Sequence, residues 1–99
     1  MTFKVRYTRA AREDLRELYA YQLQHSLQSA RRARDTIAKG SELLKDFSFT
    51  CRKADQNNPF LRELLIPFGG AGYVALFQID DHSTVTILAV RHQHEDDYL

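Results

Sequence analysis

The spacing of apolar residues changes from a strand period to a helical period within the first ten positions. Every second residue from Phe3 to Tyr7 is apolar, which predicts a short strand with one buried face. Thr8 can cap a helix N-terminus, and apolar side chains then recur every three or four residues, which predicts an amphipathic helix. Glu13 and Asp14 lie near its start, where carboxylates suit the helix dipole. The stripe of this helix is Ala11, Leu15, Leu18, Tyr19 and Gln22.

A second helical stripe begins after Ser26, which is a candidate cap for its N-terminus. Its small residues would let two helices approach closely, so the pattern predicts a helical hairpin. Gly40 lies inside this stripe, and because glycine costs about 1 kcal/mol against alanine in a helix, close packing is the expected reason for it. The stripe consists of Ala30, Ala33, Ile37, Gly40, Leu44 and Phe47.

The second half of the chain predicts a loop over residues 48–59, three strands and a polar tail over residues 91–99. Pro67 is expected to end the first of these strands before a glycine turn. The predicted strands are Phe60–Ile66, Tyr73–Ile79 and Thr84–Val90. The order β-α-α-β-β-β predicts one α+β domain over residues 1–99, with the helical hairpin packed on a small, mainly antiparallel sheet.

The composition indicates the cellular compartment of the protein and the charge of its binding partner. The chain has one cysteine and no long apolar run, so we expect a cytoplasmic protein without an internal disulfide or a membrane association. Residues 1–53 hold 12 Lys/Arg and 6 Asp/Glu, whereas residues 54–99 hold 2 Lys/Arg and 7 Asp/Glu. A basic half favours an acidic partner, although a solvated helical face would give the same count.

Three segments carry a family resemblance. They are Ala11-Arg12-Glu13-Asp14-Leu15 with Tyr21, then Leu61-Arg62-Glu63-Leu64 with Gly72-Tyr73, and finally Ile87 to Tyr98. Together they resemble the RelE/ParE superfamily of bacterial toxins, and the last segment is most similar to the ParE branch. The resemblance implies the RelE/ParE toxin fold and an antitoxin, encoded by a neighbouring gene, that folds on the toxin. It also implies either ribosome-dependent cleavage of messenger RNA, as in RelE-like members, or inhibition of DNA gyrase without catalytic residues, as in ParE-like members.

The position after the Gly-Tyr pair favours the second activity. A ribonuclease without a metal needs a base, an acid and cations for the phosphate. The RelE pattern has an arginine after Gly-Tyr, whereas this chain has Val74, and the tail carries Glu95, Asp96 and Asp97. We therefore expect a gyrase inhibitor rather than an enzyme, as in plasmid stabilisation systems. A ribonuclease and a degenerate module that binds only its antitoxin are the alternatives.

Candidate residues follow from these alternatives. If the chain is a ribonuclease, the candidate catalytic residues are Arg62, Arg91, His92 and Tyr98. Candidate partner-binding residues are Arg31, Arg32, Arg34, Arg91, His92 and Tyr98. Arg91 and His92 could instead anchor the tail to the sheet by hydrogen bonds.

No cofactor, metal or sequence-specific nucleic-acid contact is expected. His92 and His94 could share a strand face, but two imidazoles are too few for a closed zinc site. The neighbouring cations Arg52 and Lys53 could lower the pKa of Cys51. No signature of a nucleophilic cysteine surrounds it, so we interpret this thiol as incidental.

Overall fold

The computed structural model describes residues 2–93. Two helices pack on a five-stranded mixed sheet of order β1-β5-β4-β3-β2, in which only β1 and β5 pair in parallel. The elements are β1 (Lys4–Tyr7), α1 (Arg9–Leu23), α2 (Leu27–Phe47), β2 (Arg52–Asp55), β3 (Asn58–Phe68), β4 (Ala71–Ile79) and β5 (Thr84–His92). The predicted α+β class and the helical hairpin on one face of a mainly antiparallel sheet are confirmed.

The helix boundaries follow the predicted caps. The Thr8 hydroxyl accepts a hydrogen bond from the Ala11 N–H at 3.0 Å, and the Ser26 hydroxyl accepts one from the Ser29 N–H at 2.9 Å. Each cap satisfies one of the amide donors that a helix N-terminus leaves unpaired. The dipole interpretation of the two acids in α1 was wrong, because the first turn contains no acidic residue.

Close packing explains Gly40, but the element that packs against it is the sheet and not the other helix. A Cβ at Gly40 would lie 3.0 Å from Cδ1 and Cγ1 of Ile66 on β3, so this glycine lets α2 approach the sheet closely. The last residue of the predicted stripe was wrong, because Phe47 is 54% exposed while Ser48 is fully buried. Leu44 and Ser48 are four residues apart, so the buried stripe leaves α2 one position later than predicted.

The predicted loop over residues 48–59 was wrong in part. A short 3₁₀ helix spans Ser48–Thr50, and β2 pairs antiparallel with β3 at the edge of the sheet. Every residue of β2 is exposed, so the strand has no alternation of apolar and polar residues from which it could be predicted.

Pro67 does not end β3, which continues to Phe68 and pairs Pro67 with Gly72. The β2 partners of β3 stop at Glu63, so Pro67 lies where β3 has one neighbouring strand and its missing N–H is tolerated. A Cβ at Gly72 would lie 2.4 Å from the Ile66 carbonyl oxygen, which excludes any side chain at this end of the hairpin.

Helix α1 covers the part of the β5 edge that β1 does not reach. The β1 partners of β5 end at Ile87. Beyond it, the Thr8 hydroxyl donates to the Leu88 carbonyl at 3.3 Å, and the Val90 N–H donates to the Asp14 carboxylate at 3.0 Å. The other oxygen of Asp14 pairs with the Arg91 guanidinium. Because an unpaired strand edge exposes backbone donors and acceptors, these side chains of α1 take the place of a strand.

We predict that Asp14→Ala lowers the free energy of unfolding by about 1–3 kcal/mol, because it leaves the Val90 N–H and the Arg91 guanidinium without this carboxylate. Urea unfolding followed by circular dichroism measures the change. Glu13→Ala is the matched control, since Glu13 is exposed and its pairing with Arg16 at 3.6 Å is also exposed.

Arg91→Ala should also destabilise the protein, because it removes the ion pair with Asp14, while the Val90 hydrogen bond to Asp14 survives. The two substitutions share one interaction, so their effects in the double variant should sum to less than the separate losses. A melting curve of Arg91→Ala identical to that of the native chain would contradict the structural role of this residue.

Candidate functional surfaces

The Arg62 side chain is bound to backbone carbonyls of neighbouring residues. It lies on the helix-covered face of the sheet, because its partner across the register is the buried Phe77. Its guanidinium donates to the carbonyls of Pro59 at 2.7 Å, Phe49 at 3.1 Å and Cys51 at 2.8 Å. These bonds hold the chain between α2 and β3 in place.

The other candidate catalytic residues that the structure describes lie at the end of β5. Arg91 pairs with Val74 in the register, so it lies on the opposite face of the sheet from Arg62. His92 pairs with Tyr73, and the two rings meet edge to face with centroids 5.8 Å apart. Arg91 and His92 are neighbours in sequence, but their side chains lie on opposite faces of the sheet, and it is His92 that shares the helix-covered face with Arg62. Tyr98, His94, Glu95, Asp96 and Asp97 lie outside the described residues.

The face of the sheet that the helices leave uncovered is apolar at its centre. We call it the open face, and Val74 lies in it at the position where the RelE pattern has an arginine. The neighbouring apolar residues on this face are Leu61, Leu65, Leu76 and Ala89. Leu65 is 43% exposed whereas Val74 is 9% exposed, so solvent reaches this face at Leu65 and much less at Val74.

Three arginines around the open face already have partners. Arg6 donates to the Thr86 hydroxyl at 3.3 Å, and Thr86 in turn bonds to Asp80. Arg52 pairs with Glu63 at 2.9 Å. With Arg91 held by Asp14, a phosphate on this face would compete with carboxylates for at least two of the arginines.

A second surface is the groove between α1 and α2, which we call the hairpin groove. Its volume is about 470 Å³, and its lining is almost entirely apolar. Arg16 and Arg34 lie on its rim, and the Arg34 guanidinium lies 5.8 Å from the centre of the Tyr19 ring. Of the three predicted partner-binding arginines on α2, Arg34 thus faces this groove. Arg32 instead borders a cleft toward Pro67 and Phe68, and Arg31 is exposed.

Cys51 is a half-buried thiol whose Sγ donates to the Phe47 carbonyl at 3.6 Å. Burial raises the pKa of the Cys51 thiol, and the Arg62 guanidinium lowers it by a smaller amount. The cation beside the sulfur is therefore Arg62, and not the sequence neighbours Arg52 and Lys53. A thiol with a raised pKa carries little thiolate at neutral pH.

We predict that folded protein reacts with iodoacetamide at neutral pH about tenfold more slowly than glutathione does, because burial lowers both access and thiolate content. Alkylation followed by mass spectrometry gives the rate. In concentrated urea the same thiol should react as fast as glutathione, and an equally fast reaction in the folded state would contradict the assignment.

The described part of the chain offers no metal site and no spanning helix. Among residues 2–93, no three His, Cys, Asp or Glu side chains come close enough together to hold an ion. None of the helices in this part is long and apolar enough to cross a bilayer.

Sequence reasoning missed two features of these surfaces. The sequence indicated for Asp14 a favourable position in the helix dipole. Its observed role, binding Val90 and Arg91, depends on where α1 meets β5. Ala38 lines the hairpin groove although it lies outside the predicted stripe, because the groove runs along the flank of α2. Neither contact has a periodic signal in the sequence.

Similar proteins share this architecture. The chain is 35% identical over 85 residues to Toxin RelE3 of Caulobacter vibrioides, an alignment that covers 86% of this chain and 88% of that protein. The structure of a chromosomal ParDE toxin–antitoxin system from P. aeruginosa superimposes with a TM-score of 0.74 at 18% identity, covering 92% of this chain and 96% of that one. The toxin–antitoxin complex RelBE2 from Mycobacterium tuberculosis gives a TM-score of 0.57 at 26% identity, covering 93% and 99%.

The family model described as the ParE toxin of the type II toxin–antitoxin system parDE matches residues 5–97. This match includes both helices, all of the five strands except Lys4 of β1, and most of the C-terminal segment. The chain therefore belongs to the RelE/ParE superfamily of type II toxins, within the family described by the ParE toxin model.

Proposed function

We propose that this toxin inhibits DNA gyrase by protein–protein binding and is neutralised by a cognate antitoxin. The observation that carries the proposal is Val74 at the centre of the open face. A side chain without a donor cannot bind the phosphate that a messenger RNA would present there. An apolar centre with a charged rim is instead typical of protein interfaces.

The positions of the cations support the same activity. Arg62 donates to three backbone carbonyls on the helix-covered face, and Arg52 and Arg91 are paired with carboxylates. Withdrawing one preorganised charge donor from an active site costs about 10²–10³ in rate. A gyrase inhibitor needs only a complementary surface, so these pairings do not weaken that activity.

Ribosome-dependent cleavage of messenger RNA is the second candidate. The relative with 35% identity is named Toxin RelE3, and Arg91 and His92 are consecutive at the end of β5, although their side chains lie on opposite faces of the sheet. This pair would have to supply both the charge stabilisation and the proton transfer, with Tyr98 as its third member. Cleavage would also require Arg91 to leave Asp14, at a cost in stability.

We predict that the purified toxin inhibits gyrase supercoiling and leaves messenger RNA intact on translating ribosomes at equal toxin concentration. Cleaved messenger with unaffected gyrase would overturn the proposal in favour of the ribonuclease. A folded toxin that is silent in both assays and still binds its antitoxin would indicate a degenerate module.

Leu65→Arg tests whether the open face makes the gyrase contact. We expect about a tenfold or greater loss of inhibition, because a charge at the centre of an apolar interface removes buried contacts. Leu43→Arg is the matched control, since Leu43 on α2 has a similar exposure of 52% against 43% for Leu65. Equal losses in both variants would contradict the role of the open face.

The hairpin groove is our proposed site for the antitoxin. Arg16 and Arg34 flank an apolar lining, and their ion pairs with Glu13 and Asp35 are exposed and weak, so the groove fits an amphipathic helix with acidic residues along its edges. The solved relatives that match this fold are described as toxin–antitoxin systems or complexes, which supports such a partner. The partner segment would fold as it binds.

We predict that Ala38→Glu weakens antitoxin binding about tenfold or more, because it places a bulky negative charge in the groove. Lys39→Gln is the matched control: it changes the net charge by the same amount on a neighbouring residue that does not line the groove. Calorimetry with the protein encoded beside this gene measures both. Binding of the native toxin should be submicromolar and should weaken with salt. Equal affinities of the two variants would contradict the site.

A further inference from the structure

A third surface lies at the end of the molecule where β4 turns into β5. A cleft of about 400 Å³ opens there, away from the hairpin groove. Two aromatic rings, the buried Ile79 and the turn between the strands line it, and the residues that matter are Phe49, Phe60, Ile79, Asp80, Asp81 and His82. No part of the proposed function uses this cleft.

The aromatic side of the cleft is exposed and fixed in place. Phe49 is 50% exposed and Phe60 is 49% exposed, and their rings meet edge to face with centroids 6.3 Å apart. Phe3 lies 6.2 Å from Phe49, and the Arg62 guanidinium lies 5.5 Å from the centre of the Phe49 ring. Because the three carbonyl bonds hold Arg62, Phe49 keeps its position without a partner protein.

The turn side of the cleft is acidic. The backbone N–H and hydroxyl of Ser83 donate to Asp81 at 2.7 and 2.9 Å, and these bonds hold the pKa of Asp81 below its ordinary value. Asp80 accepts a hydrogen bond from Thr86, which also receives one from Arg6. Both carboxylates are thus oriented by hydrogen bonds, and the remaining lining residue of the turn is His82.

We propose that this cleft binds a protein segment that carries a lysine or arginine next to an apolar side chain. The long methylene stem of such a cation packs on apolar surface while its charged end stays at the polar rim. Here the two phenyl rings receive the stem and the apolar neighbour, and the carboxylates of the turn receive the charge. An acidic segment, which the hairpin groove favours, would be repelled here.

The test uses two short peptides of the same shape. Acetyl-Leu-Arg-Leu-amide is titrated into the ¹⁵N-labelled toxin, and the same peptide with citrulline in place of arginine is the uncharged control. We expect both peptides to shift the amides of Phe60, Ile79 and the turn, with the arginine peptide about two- to fivefold tighter, as exposed ion pairs give. Equal affinities, shifts confined to another surface, or no shift at millimolar peptide would each overturn the proposal.

Two substitutions separate the contribution of the turn carboxylate to peptide binding from that of the phenyl rings. Asp81→Asn should reduce the preference for arginine over citrulline, because it keeps the Ser83 hydrogen bonds and loses one of the two carboxylate charges of the turn. Asp35→Asn is its control, since it makes the same change on the exposed surface of α2. Phe60→Ala should weaken both peptides alike. An amide spectrum of each variant verifies the fold, and a preference that Asp81→Asn leaves undiminished would contradict the role of the turn.

Discussion

The Asp14 carboxylate is the interaction on which the arrangement of helices and sheet depends. One oxygen accepts a hydrogen bond from the Val90 N–H and the other pairs with Arg91. A single side chain of α1 therefore covers the edge of β5 beyond Ile87, where β1 has ended. The Thr8 hydroxyl, which caps α1 through the Ala11 N–H, also donates to the Leu88 carbonyl. Thr8 and Asp14 thereby join the first half of α1 to the edge of β5.

This arrangement leaves the two sides of the sheet with different chemistry. The helix side carries the hydrophobic core and the hairpin groove, whereas the open face carries Val74 and its apolar neighbours. Under the proposed function, the antitoxin and the target then occupy different sides of one thin layer. Neutralisation therefore requires an antitoxin segment long enough to pass around an edge of the sheet, or one bulky enough to exclude gyrase from a distance. A disordered segment that folds on binding satisfies the first condition, since it can cover a large surface at moderate affinity.

Local signals in the sequence predicted the parts of the fold that are decided locally. Both helix caps, the stripe from Ala30 to Leu44 and the three longest strands depend on spacing and capping chemistry over a few residues. The strand β2 could not be predicted, because all of its residues are exposed and only its pairing with β3 makes it a strand. Pro67 and Phe47 were misjudged for a related reason. The tolerance of a proline depends on which neighbouring strand stops short, and the exposure of a phenylalanine depends on where the buried stripe leaves the helix.

The chemistry of the cationic side chains depends on where the fold places them. The excess of cations in residues 1–53 indicates a basic half of the chain, but the fold distributes these cations over several surfaces. Arg34 reaches the rim of the hairpin groove, Arg6 and Arg52 lie on the open face with hydrogen-bonding partners, and the pairing of Arg91 with Asp14 links the open face to α1. A phosphate site needs several cations converging on one point without other partners. The described residues provide no such convergence around Val74, so the basic character of the chain supports recognition of an acidic protein segment at the helices more strongly than recognition of RNA at the sheet.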